Sequence, residues 1–138
     1  MSDGLKVDEL TVEYTSGEYR VRPVDGFSCE VEDGSLALLL GPSGSGKTTL
    51  LSCLAGILTP TSGTIRCGDR TITGLQGAAL TEYRRNGVGI VFQAFNLIAS
   101  LTALENVMLP MRSAGVDRHE ARERAARLLE DVDLTERA

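Results

Sequence analysis

No run of eighteen consecutive apolar residues occurs in this 138-residue chain, so nothing in it reads as a membrane-spanning helix. The opening MSDGLKVDEL lacks a basic n-region and an apolar core, which leaves no secretory signal and predicts a cytoplasmic protein. Cysteine is scarce and odd in number. Cys29, Cys53 and Cys67 are too scattered for a disulfide framework or a metal knuckle and read as small core residues. Positive charge is in deficit as well: a net charge of -5 argues against a nucleic-acid partner, because a phosphate backbone needs a basic face. Internal repeats and low-complexity linkers are also missing. The remaining composition, 42% hydrophobic and 24% charged, is that of a soluble globular protein about one domain long.

Strand signals lead and helix signals follow. Residues 4–14 (GLKVDELTVEY) and 27–31 (FSCEV) alternate as antiparallel strands do, the second ending at the turn Glu32-Asp33-Gly34. Ser35 to Leu40 (SLALLL) is a short continuous apolar run, the pattern of a strand covered on both faces in a parallel sheet. From Lys47 the spacing of Leu50, Leu51, Leu54, Ile57 and Leu58 predicts a helix that Thr59-Pro60-Thr61-Ser62-Gly63 stops. Short strands are expected at 64–67 and 70–72, a short helix at 75–85, and a second buried strand at Val88 to Phe92 (VGIVF). Beyond a loop at 93–100, a helix is expected from Ala103 to Leu109, ending before Pro110. A last helix opens on a capping box of Asp117 and Glu120, with Ala121, Ala125, Leu128, Leu129 and Val132 as its apolar stripe. Glu120–Arg124 and Glu123–Arg127 fall at i,i+4 on its wet side, so these arginines read as a solvated face rather than a binding patch. The lone His119 has no ligand partner at metal spacing and reads as structural.

The chemistry concentrates in Gly41-Pro42-Ser43-Gly44-Ser45-Gly46-Lys47-Thr48, which fits G-x-x-x-x-G-K-[ST] at every fixed position, with Thr49 next in line. Glycines let such a loop curl until its N–H groups face a phosphate, where a side chain at Gly44 or Gly46 would obstruct the oxygens. The helix that follows aims its positive end at the same oxyanions. Lys47 supplies a mobile ammonium, and the Thr48 hydroxyl is sized to ligate Mg²⁺. Lysine usage sharpens the match: against twelve arginines there are only two lysines, Lys6 and Lys47, and one occupies the phosphate position. Arginine's rigid fork does not suit a loop built around a point charge.

A phosphate loop by itself does not choose among kinases, GTPases and transport ATPases. The stretch GPSGSGKTTLLSCLAGILTPTSGTI, followed by VGIVFQAFNLIASLTALENVMLP, resembles the ATP-binding subunits of ABC transporters, above all the branch of lipoprotein-releasing, macrolide-export and cell-division ATPases. The resemblance implies an α/β P-loop NTPase fold, an ABC-type ATPase core with an N-terminal antiparallel β subdomain. It makes 1–138 part of one nucleotide-binding domain, with antiparallel β and P-loop core to about 93, and the Q-loop and start of a helical subdomain from there on. It implies Mg-ATP as ligand, Tyr14 as the ring that stacks on adenine with Tyr19 as its nearby rival, and Gly41 to Thr49 as the phosphate cradle. Gln93 matches the family's Q-loop glutamine, which reaches the water and the metal that Thr48 also holds.

Partners are implied in the same way: transmembrane permease subunits docking on the loop after Gln93, and a homodimer of nucleotide-binding domains in the complete protein. That places it in the cytoplasm, peripheral on the inner face of the cell membrane, and leaves no nucleic-acid partner. The family's signature sequence, Walker B strand with the catalytic glutamate and switch histidine would follow the helix that ends near Val132. Leu128-Leu129-Glu130-Asp131 offers no substitute, since its acids follow only two leucines and sit on a helix. The resemblance thus covers about the first half of a family domain, truncated before the Walker B and signature motifs, and predicts ATP binding without turnover. Two other readings stand beside it: a non-transport ABC-type ATPase acting on ribosome or nucleic acid, and a nucleotide-binding module without turnover.

Overall fold

In a computed structural model of the chain, which describes residues 4–135, the strand expected at 4–14 becomes β1 (Leu5–Ser16), and the one expected at 27–31 is the end of a longer β2 (Tyr19–Val31) that folds back on β1 as a hairpin. β3 (Ser62–Cys67) joins the other side of β1, and β4 (Arg70–Thr71) pairs with β3 across Gly68-Asp69. The sheet runs in the order β2-β1-β3-β4 with every neighbour antiparallel. β1 and β3 therefore have partners on both sides, and β1 supplies most of the buried apolar face: Val7, Leu10 and Val12, against Val24 of β2 and Ile65 of β3. The three-residue step from Val7 to Leu10 is a bulge. The register shifts there, and Glu9 takes a φ of 46, which keeps both flanking side chains on the core side.

α1 (Lys47–Leu54) packs Leu50 and Cys53 into this core. The helix is shorter than the periodicity to Leu58 predicts because Gly56 turns left-handed, φ 67, and closes the end. The Gly56 N–H donates to Cys53 O at 3.0 Å and the Ile57 N–H to Ser52 O at 2.9 Å, the paired bonds of a Schellman stop. α2 (Gly77–Asn86) pins that end from outside: the buried Tyr83 donates its hydroxyl hydrogen to the Leu54 carbonyl at 2.7 Å. Arg70 lies over its ring at 6.0 Å.

The segments expected as buried strands at 35–40 and 88–92 carry no ladder. Leu36 and Val91 are 97% and 100% exposed. A strand is a pairwise object, since its N–H and C=O groups point sideways to a neighbour. Among the described residues no strand pairs with either segment. Of the three cysteines, Cys53 is buried as expected, but Cys29 is only half-buried and Cys67, the last residue of β3, is exposed.

The described chain divides into two units at Arg84/Arg85. In the second, α3 (Ala103–Ser113) and α4 (Arg118–Glu130) form a helical pair whose core is Leu104 and Met108 against Ala121, Ala125 and Leu129. α3 continues through Pro110 rather than ending before it. Proline forfeits only one backbone bond in a helix, and here Met108 and Met111 on either side pack into or against the core. The capping box lies at Thr102 and Glu105, not at Asp117 and Glu120. Asp117 does cap α4, accepting from the His119 N–H at 2.7 Å, and that bond above all holds its carboxyl below the usual range. Glu120 turns instead to Arg124 at 3.6 Å, and Glu123 to Arg127 at 3.8 Å. Leu128 and Val132, expected in the stripe, are exposed.

Candidate functional site

Residues 41–46 make a tight ring between the exposed 35–40 segment and α1. The Ser45 N–H reaches Pro42 O at 3.3 Å, and the Lys47 ammonium sits at the hub, donating to Gly41 O at 2.8 Å, Pro42 O at 2.6 Å and Ser45 Oγ at 3.3 Å. Lys47 thus folds back over the loop that precedes it, and Gly41, Pro42, Ser45 and Lys47 are gathered by one cation. Ser43, Gly44 and Thr48 are exposed around them, and Thr49 is half-buried.

The start of α1 is open. Gly46 holds the N-cap position with φ 84, has no side chain to offer, and no acidic residue follows in the first turn. The first N–H groups of a helix have no partners inside it, so those of Lys47, Thr48 and Thr49 stay available to an acceptor from outside. The positive end of the helix and the ammonium add to the same field.

The fold supplies its own reason for two of the glycines. A Cβ on Gly46 would lie 1.9 Å from the Pro23 carbonyl oxygen of β2, and one on Gly44 would meet no protein atom within 4 Å. The hairpin beneath the loop therefore excludes a side chain at Gly46, and at Gly44 the left-handed φ of 79 favours glycine. β2 in this way sets the height of the loop.

Tyr14 stands on β1 opposite Val21, 51% exposed, and Tyr19 on β2 opposite Ser16, 81% exposed. Beside Tyr14, Glu13 accepts from the Arg22 guanidinium and faces Arg20 at 3.3 Å, and Arg22 above all holds its carboxyl below the ordinary range. Gln93 belongs to the second unit, exposed at the bend that follows 88–92. After it Asn96 turns left-handed at φ 49, Phe95 is 90% exposed and Leu97 67%.

The sequence reading missed two residues. Tyr83, which anchors the end of the helix that the phosphate loop begins, could have been suspected as the only aromatic in a polar helix. Asn106 bonds the backbone of residues 98–102 four times, and nothing in the spacing signals it.

The sequence profile described as ABC transporter matches residues 24–138. The chain is 65% identical over 134 residues to an uncharacterized ABC transporter ATP-binding protein of Mycobacterium tuberculosis (strain ATCC 25618 / H37Rv), covering 97% of this chain and 41% of that protein. It is 43% identical over 137 residues to the lipoprotein-releasing system ATP-binding protein LolD of Geobacter metallireducens, covering 99% of this chain and 61% of LolD. The chain therefore spans less than two thirds of either relative. Its fold superposes with a TM-score of 0.86 on the ATP-binding cassette MJ0796, a dimer solved in a post-hydrolysis state bound to ADP and Pi, at 35% identity over 91% of this chain and 56% of that one. The matched profile covers both the ring at Gly41–Thr48 and the helical pair, and on that coverage this chain belongs to the ABC transporter ATP-binding family, with its P-loop ATPase fold.

Proposed function

We propose that the chain binds Mg-ATP at Gly41–Thr49 as the nucleotide-binding part of a transporter, and that membrane-spanning subunits receive the resulting motion through the loop after Gln93. The observation that carries the nucleotide reading is the uncapped start of α1 under a curled loop with Lys47 at its hub. Open N–H donors, a helix dipole and one cation, without an acidic side chain in the first turn, fit a polyphosphate. Lys47 is the residue to exchange its carbonyl contacts for phosphate oxygens, and the amides of Gly44 to Thr49 are those to cradle them. Tyr14 offers a flat exposed ring to the purine. Magnesium, when bound, neutralises charge on the phosphate oxygens, and within the loop's own unit the exposed Thr48 hydroxyl is the group that would hold it.

The transport half of the reading draws on family membership and on the loop itself. Phe95 and Leu97 are large apolar side chains that face solvent on a segment between a bend and a helix cap. A cytoplasmic helix of a transmembrane subunit is the occupant we assign to them. In the complete protein, two such domains sandwich two nucleotides, as the dimeric state of the MJ0796 cassette suggests. On this reading the protein works at the inner face of the cell membrane. Among the described residues no helix is long and apolar enough to cross a membrane.

Lys47→Ala tests the nucleotide reading. Each hydrogen bond to a charged group is worth about 1.5–3 kcal/mol, so calorimetry should read ATP affinity lowered by about a hundredfold or more, with circular dichroism unchanged. Undiminished affinity would remove the P-loop assignment. Phosphate release by residues 1–138 should stay at background, because the acidic residue that lines the loop's cavity among the described residues, Asp25, has its carboxylate paired with Arg22 at 3.3 Å. Turnover that vanishes in Lys47→Ala would overturn that part alone.

A further inference from the structure

We propose that Asn106 is a positioning residue: it shapes the segment that presents Phe95 and Leu97 to the transmembrane subunit, an inference that rests on the docking role proposed above. Asn106 lies in the first turn of α3, where a side chain leans back toward the helix start. Its amide meets the incoming chain there. Oδ1 accepts the Ile98 N–H at 2.8 Å, and Nδ2 donates to the carbonyls of Ile98 at 3.2 Å, Leu101 at 3.2 Å and Thr102 at 2.9 Å. The Leu101 N–H closes back on Ile98 O at 3.0 Å, and Thr102 with Glu105 completes the helix start. One planar group thus satisfies both backbone groups of Ile98 and two carbonyls beyond it.

The chemistry is specific to an amide. An acceptor and a two-hydrogen donor must stand side by side, which a carboxylate, a hydroxyl or an aliphatic side chain of that size cannot provide. The consequence reaches the residues ahead of the clamp. The backbone polar groups of Ile98, Leu101 and Thr102 are held internally, while Phe95 and Leu97 stay out in solvent. A loop that spends its polar groups on itself and holds its apolar ones outward is organised before its partner arrives, which lowers the ordering cost of docking.

N106D separates this from a general loss of fold. The introduced carboxylate faces three carbonyl oxygens and has no hydrogen to donate, so the clamp opens at pH 8. Those acceptors favour the protonated form, which regains one donor, so the clamp partly recloses at pH 5.5. The readout is crosslinking from Ala99→Cys in the full-length protein in its native membranes, with the captured membrane-spanning subunit identified by mass.

We expect N106D to lower capture by about fivefold or more at pH 8, the scale of one lost hydrogen bond, and to recover at least half of it at pH 5.5. ATP affinity should stay within about twofold of the parent, and N106A should lose capture at both pH values. Equal capture by N106D and parent at pH 8, or loss of ATP binding together with capture, would overturn the positioning role. If the parent carrying Asn106 captures no membrane-spanning subunit, the docking reading fails, and this inference with it.

Discussion

Two loops in this chain each lead into a helix, and they are built on opposite plans. The ring at 41–46 ends in a helix start with no cap: Gly46 brings no side chain, and the first turn has no acid. The segment at 93–102 ends in a capped helix start, with Thr102 and Glu105 exchanging bonds across it and Asn106 holding the chain ahead of it. The first leaves its backbone donors free, on left-handed turns over β2 that need glycine. The second ties down the backbone of Ile98, Leu101 and Thr102 and turns apolar side chains outward. An open helix start suits an anion, and a closed one suits a partner surface that must not change shape.

The largest break in the comparison should come from Gly46→Ala. Its Cβ would press on the Pro23 carbonyl and its φ of 84 would be strained, so the loop must lift off β2. We expect a loss of about 2–4 kcal/mol in stability, from left-handed strain and overpacking together, and a matching fall in ATP affinity. Gly44→Ala meets only the strain of its φ and should cost about 1–2 kcal/mol. Urea denaturation of the two variants reads the difference, and equal losses would mean that β2 does not support the loop.

Tyr14 sharpens the open site next. Tyr14→Ala should weaken ATP by about 1–3 kcal/mol, the range for a base stacked on an aromatic ring, with Tyr19→Ala changing it little. The reverse ranking in a fluorescent-nucleotide titration would move the adenine site along the hairpin.

The smallest effect belongs to the closed start. Thr102→Ala should cost about 1 kcal/mol, the usual worth of a helix cap, and leave ATP affinity untouched. Hydrogen exchange in the first turn of α3 should rise while that of α1 does not. Weakened ATP binding in this variant would contradict the separation of the two loops.

Local chemistry made part of this legible. Alternation, glycine placement and the phosphate-loop pattern depend on neighbours in sequence, so β1, the end of β2, the start of α1 and the ion pairs along α4 could be read from the chain. The capping box was misplaced because Asp117 and Glu120 fit its pattern as well as Thr102 and Glu105 do. Only the three-dimensional positions decide which side chain bends back. The helix through Pro110 was missed because the packing of Met108 and Met111 outweighs one lost bond.

By itself the sequence determined the identity of the phosphate loop, the first strand ahead of it and the family to which both belong, because each rests on residue type at a set spacing. Tertiary structure decided what spacing cannot encode. It set which surface forbids a side chain at Gly46, how Tyr83 secures the end of α1, and that one amide at Asn106 holds four backbone contacts. It also left 35–40 and 88–92 without a ladder, since an apolar run states a preference for burial but a strand exists only where another strand meets it.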